Sequence, residues 1–256
     1  PLSTDLSIMR QSLIFSGLET LAFNINRQQS DLKLFEFGKT YHDFDDQKEE
    51  FNHLSILITG NKTEKRWNSK KTEVGYFYLK GLVTGIFDRL GIKKFKSLPL
   101  SNDIFSEGQQ LSVGKHSLVE FGSLKTNALT PFGISQNVFC ANFNWNNLLK
   151  VINQNTIKFK DISKYPEVKR DLSLLIDEDI TFEKLYKLAK QSENNYLKDI
   201  NLFDVYRGDK LENGKKSYSI SFTLQDNKQT LKDSQIDKIM SKIQKRFESE
   251  LGAELR

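Results

Sequence analysis

The chain of 256 residues is long enough for two domains, and its 38% hydrophobic and 28% charged residues are typical of a globular protein with a buried core. One cysteine excludes a disulfide framework and a multi-cysteine metal site, and no apolar run is long enough to span a bilayer. The net charge of +5 is small for a nucleic-acid-binding protein, and it is unevenly placed. Residues 1–160 hold 20 basic and 15 acidic side chains and residues 161–256 hold 18 of each, which predicts a domain boundary near residue 160.

The first half predicts helices that flank an antiparallel sheet, an α+β pattern. Apolar residues at helical spacing indicate one long helix over residues 5–28 and a second over residues 76–90. Alternating apolar and polar residues predict strands over 32–38 and 51–59. Further along, we predict short strands interrupted at Gly108, Gly114, Gly122 and the Pro131-Phe132-Gly133 turn.

The second half, residues 161–256, predicts a regular alternation of strands and helices. The predicted elements are a strand over 170–177, a helix over 181–192, strands over 197–206 and 217–224, a helix from 233 or 234 to 251, and the start of a strand at 253–256. This βαββαβ order is the ferredoxin-like plan.

The predicted strand over 217–224 alternates with unusual regularity. Its apolar side holds Tyr218, Ile220, Phe222 and Leu224, and its other side holds Ser217, Ser219, Ser221 and Thr223. Because both helices cover the apolar side, we expect the hydroxyl side to stay open, as in folds that bind single-stranded RNA on a sheet. A serine-rich surface without a ligand, or a face that docks on a neighbouring domain, explains the same pattern.

No sequence motif of a catalytic site is present. The chain has no phosphate-binding loop, no dinucleotide-binding glycine fingerprint and no nucleophile elbow, and its three histidines lie far apart. Cys140 lies in a strand-like stretch, which predicts a buried, unreactive thiol.

Several sequence blocks resemble a known family. In the second half these are residues 165–173, 202–208, 214–217, 230–231 and 252–256. They are similar in order and spacing to the ferredoxin-fold anticodon-binding domain that closes the β subunit of bacterial phenylalanyl-tRNA synthetases. In the first half, residues 1–3, 9–13, 17–18, 24–28 and 34–39 resemble the catalytic-like module of that subunit. The resemblance covers nearly the whole chain, which would be the C-terminal third of such a subunit.

The resemblance implies that residues 1–160 have a class II synthetase fold without an active site. Class II catalysis uses arginines to stabilise the charge on the transferring phosphate, and no arginine lies around Phe35-Glu36 or within residues 132–149. The resemblance therefore implies a catalytically inactive scaffold that packs on the catalytic α subunit in an (αβ)2 heterotetramer. ATP and Mg²⁺ are implied for the complete enzyme and no cofactor for these residues. The implied location is the cytoplasm, without membrane contact.

The resemblance also implies that residues 161–256 bind the anticodon region of phenylalanine tRNA. RNA contacts need cations for phosphates and flat or hydrogen-bonding groups for bases. The candidate residues are Lys169, Arg170, Tyr206, Arg207, Lys215, Lys216 and Ser217. We predict that Phe203 is part of the core and that Asp204 supports a turn.

Two alternative functions fit a ferredoxin-like domain: an amino-acid-sensing regulatory protein, and an RNA-binding protein of the RNA-recognition-motif type. The first predicts a glycine-rich ligand turn, but the turn over residues 177–181 has no glycine. The second predicts aromatic residues on the open face, whereas Tyr218 and Phe222 are predicted to face the helices.

Overall fold

The computed structural model describes residues 7–44, 47–63, 67–68, 70–152, 161–208 and 211–256. The chain divides into two compact units, Pro1–Lys158 and Phe159–Arg256. Within the described residues, no helix is long and apolar enough to cross a membrane.

The first unit is built on a six-stranded antiparallel sheet. Its elements are α1 (Ile14–Ile25), β1 (Leu32–Phe44), β2 (Gln47–Thr59), α2 (Tyr76–Arg89), β3 (Lys96–Leu100), β4 (Phe105–Val113), β5 (His116–Leu124), α3 (Thr126–Leu129), β6 (Val138–Asn144) and α4 (Trp145–Ile152). The strand order is β1-β2-β6-β5-β4-β3, so β1 and β3 are the edges. The α+β pattern predicted for this half is confirmed.

Both faces of this sheet are covered by helices. On one face, Val83 and Phe87 of α2 belong to the same buried cluster as Phe143. On the other face, Leu18 of α1 belongs to a cluster that includes Cys140. The predicted burial of Cys140 is confirmed, and burial raises the pKa of its thiol to about 12, which disfavours the reactive thiolate.

The prediction of one helix over residues 5–28 is wrong in its extent. The helix α1 begins at Ile14, and residues 7–13 are not helical; the start of the predicted helix, residues 5–6, lies outside the described residues. The reason is an interaction with the edge strand: the Arg10 carbonyl accepts a hydrogen bond from the Tyr41 N–H, and Arg10 Nε donates to the Lys39 carbonyl. The segment around Arg10 therefore lies beside β1 and does not join the helix.

Two of the glycines predicted to interrupt strands lie inside them. Gly108 and Gly122 face each other across β4 and β5, and a Cβ on Gly122 would lie 2.6 Å from the Gly108 Cα and closer still to the Glu107 carbonyl oxygen. Glycine at both positions therefore permits a close backbone approach, which the sequence pattern does not distinguish from a strand break.

We predict that Gly122→Ala lowers the free energy of unfolding of the first unit by about 1–3 kcal/mol, because the added methyl group forces β4 and β5 apart. The control is Gly85→Ala in α2, where a Cβ meets nothing within 4 Å and alanine should stabilise the helix by about 0.5–1 kcal/mol. Both tryptophans, Trp67 and Trp145, lie in this unit, so urea unfolding followed by tryptophan fluorescence measures it. Equal effects of the two substitutions would contradict the prediction.

The second unit has the predicted βαββαβ order. Its elements are β7 (Val168–Asp177), α5 (Phe182–Ser192), β8 (Leu197–Tyr206), β9 (Lys215–Leu224), α6 (Asp233–Leu251) and β10 (Glu254–Leu255). The strands form a four-stranded sheet in the order β10-β7-β9-β8. Ile220 and Phe222 of β9 belong to one buried cluster with residues of α5 and α6, and the Phe222 and Phe247 rings lie 6.3 Å apart. The ferredoxin-like fold is confirmed, and the helices cover only one side of the sheet.

Candidate RNA-binding face

The side of the four-stranded sheet that turns away from α5 and α6 is the open face. Ser217, Ser219 and Ser221 of β9 alternate with the apolar residues that pack under the helices, as predicted. The Ser219 hydroxyl lies 3.1 Å from the hydroxyl of Ser173 on β7 and the two form a hydrogen bond. The middle of the open face is therefore lined by small hydroxyl groups.

A long basic side chain crosses these hydroxyl groups. Arg256 follows β10 at one edge of the sheet, where its N–H donates to the Ser173 carbonyl, and Tyr206 ends β8 at the other edge. The Arg256 guanidinium carbon lies 5.4 Å from the centre of the Tyr206 ring, a distance at which a cation is attracted to the ring. Ser217, which pairs with Tyr206, is only 4% exposed.

These side chains enclose a shallow cavity of about 390 Å³, which we call the Tyr206 pocket. It is lined by Ser173, Asp204, Tyr206, Ser217, Ser219 and Arg256. The pocket combines an aromatic ring, a cation, a carboxylate and several hydroxyl groups within one small volume.

A β-bulge in β8 directs Asp204 and Tyr206 into this pocket. Leu202 lies opposite Ile220, on the helix side, and in a regular strand residues 204 and 206 would share that side. The register shifts between Leu202 and Asp204, so Asp204 lies opposite Ser219 and Tyr206 opposite Ser217. The bulge therefore turns both side chains to the open face.

Phe203 is the residue of this bulge that has no partner on β9. Its side chain is 55% exposed, so the prediction that Phe203 belongs to the core is wrong. The prediction that Asp204 supports a turn is wrong as well, since Asp204 lies within β8 and lines the pocket. A bulge has no reliable signal in the alternation of residue types, because it is defined by the pairing of two strands.

The Tyr206 ring lies against Gly208. A Cβ at residue 208 would be 2.7 Å from the Tyr206 hydroxyl oxygen and 3.4 Å from a ring carbon. Only glycine leaves the tyrosine in this place, so Gly208 supports the pocket without lining it.

We predict that Gly208→Ala displaces the Tyr206 ring and removes its contact with Arg256. The measurement is the NMR chemical shift of the Arg256 side-chain N–H, which the ring current of the nearby Tyr206 ring changes. We expect a loss of the ring-current shift in Gly208→Ala and its retention in the control Tyr206→Phe, which keeps the ring. An unchanged shift in Gly208→Ala would contradict the placement of the ring.

Two further candidate residues lie near the pocket and have carboxylate partners. Arg207 Nε lies 3.6 Å from a Glu178 carboxylate oxygen, in an ion pair that is more than half exposed. Lys215 Nζ lies 3.0 Å from Glu254 and 3.2 Å from Glu212, and hydrogen bonds to Glu254 and then Glu212 raise the pKa of Lys215. Both cations remain at the end of the sheet that holds Tyr206.

Lys216 has a different environment from Lys215. It lies on the helix side of β9, it is 3% exposed, and its ammonium donates a hydrogen bond of 2.8 Å to the Glu178 carbonyl. The ammonium is also 4.8 Å from the centre of the Tyr218 ring. Its position is that of a structural cation that holds the turn after β7.

The remaining two candidates lie at the other end of the sheet. Lys169 pairs with Thr223 on the open face and is exposed. Arg170 is on the helix side, and its guanidinium lies 3.4 Å from the carboxylate of Asp233 at the start of α6. The structure therefore brings Tyr206, Arg207, Lys215 and Ser217 together and leaves Lys169, Arg170 and Lys216 apart from them.

Asp204, Arg256, Ser173 and Ser219 are pocket residues that the prediction of site residues missed. The strand predicted over 253–256 placed Arg256 in the sheet but did not say which strand it pairs with. In the structure β10 pairs with β7, and this pairing is what lets the Arg256 side chain reach Tyr206. The alternation of β9 had already placed Ser219 on the open face.

The pocket fits the recognition of a nucleobase. An aromatic face stacks on any base, a carboxylate accepts hydrogen bonds from base N–H groups, and hydroxyls donate or accept. Among the described residues, no three histidine, cysteine, aspartate or glutamate side chains are grouped to hold a metal ion.

Two family models match this chain, one for each unit. Residues 1–145 match the family described as phenylalanyl tRNA synthetase beta chain CLM domain, and residues 163–256 match the ferredoxin-fold anticodon binding domain. A fold comparison aligns 57% of the chain with 50% of a pyrrolysyl-tRNA synthetase from Desulfitobacterium hafniense, at 16% identity and a TM-score of 0.44.

Similar curated sequences carry the same family name. The phenylalanine–tRNA ligase β subunits of Bacteroides fragilis and Porphyromonas gingivalis are 43% and 36% identical to this chain, over 269 residues each. Each match covers the whole of this chain and 33% of the relative, so the chain spans about one third of the length of these relatives. The chain belongs to the phenylalanyl-tRNA synthetase β chain family, with a CLM domain followed by a ferredoxin-fold anticodon-binding domain.

Proposed function

We propose that this chain acts as the tRNA-recognising and subunit-docking part of a phenylalanine–tRNA ligase, in the ATP-dependent attachment of phenylalanine to its tRNA. The second unit reads the anticodon region, and the first unit is a scaffold for the catalytic α subunit in an (αβ)2 heterotetramer. ATP and Mg²⁺ belong to the complete enzyme, which works in the cytoplasm with the rest of translation, and residues 1–160 take no catalytic part. The observation that carries the proposal is the Tyr206 pocket.

The pocket supports the binding of one unstacked base. The Tyr206 ring offers a stacking surface, and the Arg256 guanidinium beside it attracts a phosphate or stacks on the same base. Asp204 accepts hydrogen bonds from base N–H groups, and guanine, which presents two such groups on one edge, suits a carboxylate best. The hydroxyls of Ser217 and Ser219 line the floor of the pocket.

The charge of the second unit supports a role in selectivity more than in affinity. Residues 161–256 have 18 basic and 18 acidic side chains, so long-range attraction to phosphates is weak. Arg207 and Lys215 are also partly neutralised by nearby carboxylates. A base in the Tyr206 pocket therefore discriminates between anticodons, while other parts of the enzyme supply most of the affinity.

We expect Tyr206→Ala and Arg256→Ala to weaken binding of phenylalanine tRNA, with about a tenfold loss for the tyrosine, because a stacked base contributes about 1–3 kcal/mol. Arg207→Ala should give a smaller loss with the fold intact. The measurement is fluorescence anisotropy with phenylalanine tRNA and with a version whose anticodon is replaced. The preference for the native anticodon should vanish in Tyr206→Ala and persist in Tyr206→Phe and in the surface control Lys238→Ala. A preference that survives Tyr206→Ala would contradict base recognition in this pocket.

The apolar edge of the first unit supports docking of the α subunit. Phe35 and Phe37 of the edge strand β1 are 73% and 55% exposed, on the face of the sheet that α2 only partly covers. Together with Leu82 and Ile86 of α2 they line an open, mainly apolar groove of about 390 Å³. Exposed apolar patches of this kind are typical of protein–protein interfaces.

We expect Phe35→Glu to prevent assembly with the α subunit, because a charge would then be buried without a partner in the apolar groove. The control is Leu98→Glu on β3, the opposite edge strand, where an apolar side chain that is 39% exposed is replaced. Sedimentation of the co-expressed subunits measures assembly. Normal heterotetramers from Phe35→Glu would contradict docking at this groove.

A further inference from the structure

A second cavity lies at the end of the four-stranded sheet that is remote from the Tyr206 pocket. Its volume is about 990 Å³, and it is bounded by residues 161–165, the loop from 194 to 198 before and into β8, and Gln225, Asn227 and Lys228 after β9. We call it the Lys164 cavity. From Ser217 to Leu224, which mark the two ends of the sheet, β9 extends about 23 Å at about 3.3 Å per residue.

A hydrogen-bond network centred on the buried Gln225 builds the wall of this cavity. Gln225 is 9% exposed, and its side chain donates to the Tyr165 carbonyl at 2.7 Å and accepts from Lys198 Nζ at 2.8 Å. The Gln225 N–H donates to the Tyr196 carbonyl at 2.9 Å, and Lys198 also pairs with Glu167. The segment before β7 is therefore fastened to the ends of β8 and β9, and the cavity is a built feature of this fold.

Lysines predominate among the charged residues that line the cavity. They are Lys164, Lys198 and Lys228, of which Lys198 is paired with Glu167, and Asp161 is the one lining carboxylate. Lys164 and Lys228 are exposed, and within the described part of the chain neither has a carboxylate within 4.0 Å of its ammonium. This contrasts with Arg207 and Lys215 at the other end of the sheet, which have carboxylate partners.

The other lining groups are amides and tyrosines. Asn195 and Asn227 place side-chain amides at the cavity, and Tyr165 and Tyr196 add phenol groups. Amides and phenols donate hydrogen bonds to phosphate oxygens and to ribose hydroxyls, and cations attract the phosphates. This set is suited to the backbone of a nucleic acid, because its exposed lysines attract phosphates and its amides and phenols donate hydrogen bonds.

We propose that the Lys164 cavity is a second RNA-binding site, which holds the ribose–phosphate backbone of the same RNA whose base enters the Tyr206 pocket. The inference rests on the proposed function for its choice of ligand. The separation of about 23 Å corresponds to about seven stacked nucleotides at about 3.4 Å each, so one RNA arm spans both sites. The cavity contributes affinity without sequence preference, and the pocket contributes the preference.

The test compares two charge reversals of equal size in the 256-residue chain. K164E/K228E alters the cavity, and the control K242E/K245E alters two exposed lysines of α6 by the same total charge. The probes are phenylalanine tRNA with its native anticodon and with a replaced anticodon, and anisotropy is measured at several salt concentrations. Because all four lysines are exposed, we expect each variant to fold, which circular dichroism checks.

We expect K164E/K228E to weaken binding of both RNAs about tenfold at low salt, and to reduce the slope of log K against log salt by about 1–2, because each phosphate contact contributes about 0.7–0.9 to that slope. The ratio of affinities for the two RNAs should stay unchanged, and the control should show a clearly smaller loss. Equal losses in both variants would overturn the proposal, since they indicate non-specific charge repulsion. A loss of anticodon preference in K164E/K228E would also overturn it.

Two further results separate this inference from the proposed function. If Tyr206→Ala keeps the anticodon preference while K164E/K228E loses affinity for both RNAs, base recognition in the pocket fails and the backbone site stands. If an acidic polypeptide of equal charge competes as well as RNA for the cavity, the site is a general polyanion site and the proposal of an RNA-backbone site is overturned.

Discussion

The strict alternation of β9 is the constraint on which the second unit depends. As an inner strand between β7 and β8, β9 turns Ile220 and Phe222 toward both helices and turns Ser217 and Ser219 to the open face. The apolar half supplies the core that holds α5 and α6 on one side. The hydroxyl half is too small to fill the other side, and this lack of bulk lets Arg256 reach across the sheet to Tyr206.

The bulge in β8 converts this open face into a pocket. Without the register shift after Leu202, Asp204 and Tyr206 would point toward the helices and Phe203 would take the opposite side. With it, a carboxylate and an aromatic ring stand beside the serine hydroxyls, and Phe203 is left exposed at the edge. Gly208 then gives the tyrosine ring its room. A local irregularity of one strand thus carries the chemistry of the face, as bulges at sheet edges often do.

The distribution of charge within the second unit matters for the proposed contact with RNA, because the unit has zero net charge. Most of its cations near the Tyr206 pocket have carboxylate neighbours, and Lys216 is buried against a backbone carbonyl. Two exposed lysines without such partners, Lys164 and Lys228, line the cavity at the remote end. In the proposed function, separation of a base-reading pocket from a backbone-binding cavity would let a small domain discriminate between RNAs without binding all of them strongly.

The sequence by itself determined the order of elements, the two faces of β9, the buried state of Cys140 and the family, because these depend on local periodicity and on short motifs. It also indicated Tyr206 and Ser217. Only the tertiary structure decided that α1 starts at Ile14, that Gly108 and Gly122 face each other, and that Asp204 and Arg256 join the pocket. The physical reason is that each of these depends on strand pairing: an edge strand captures residues before α1, a bulge reverses the alternation of β8, and β10 lies beside β7. Pairing joins residues that are far apart in the chain, and residue types in one segment do not encode the register of its neighbour.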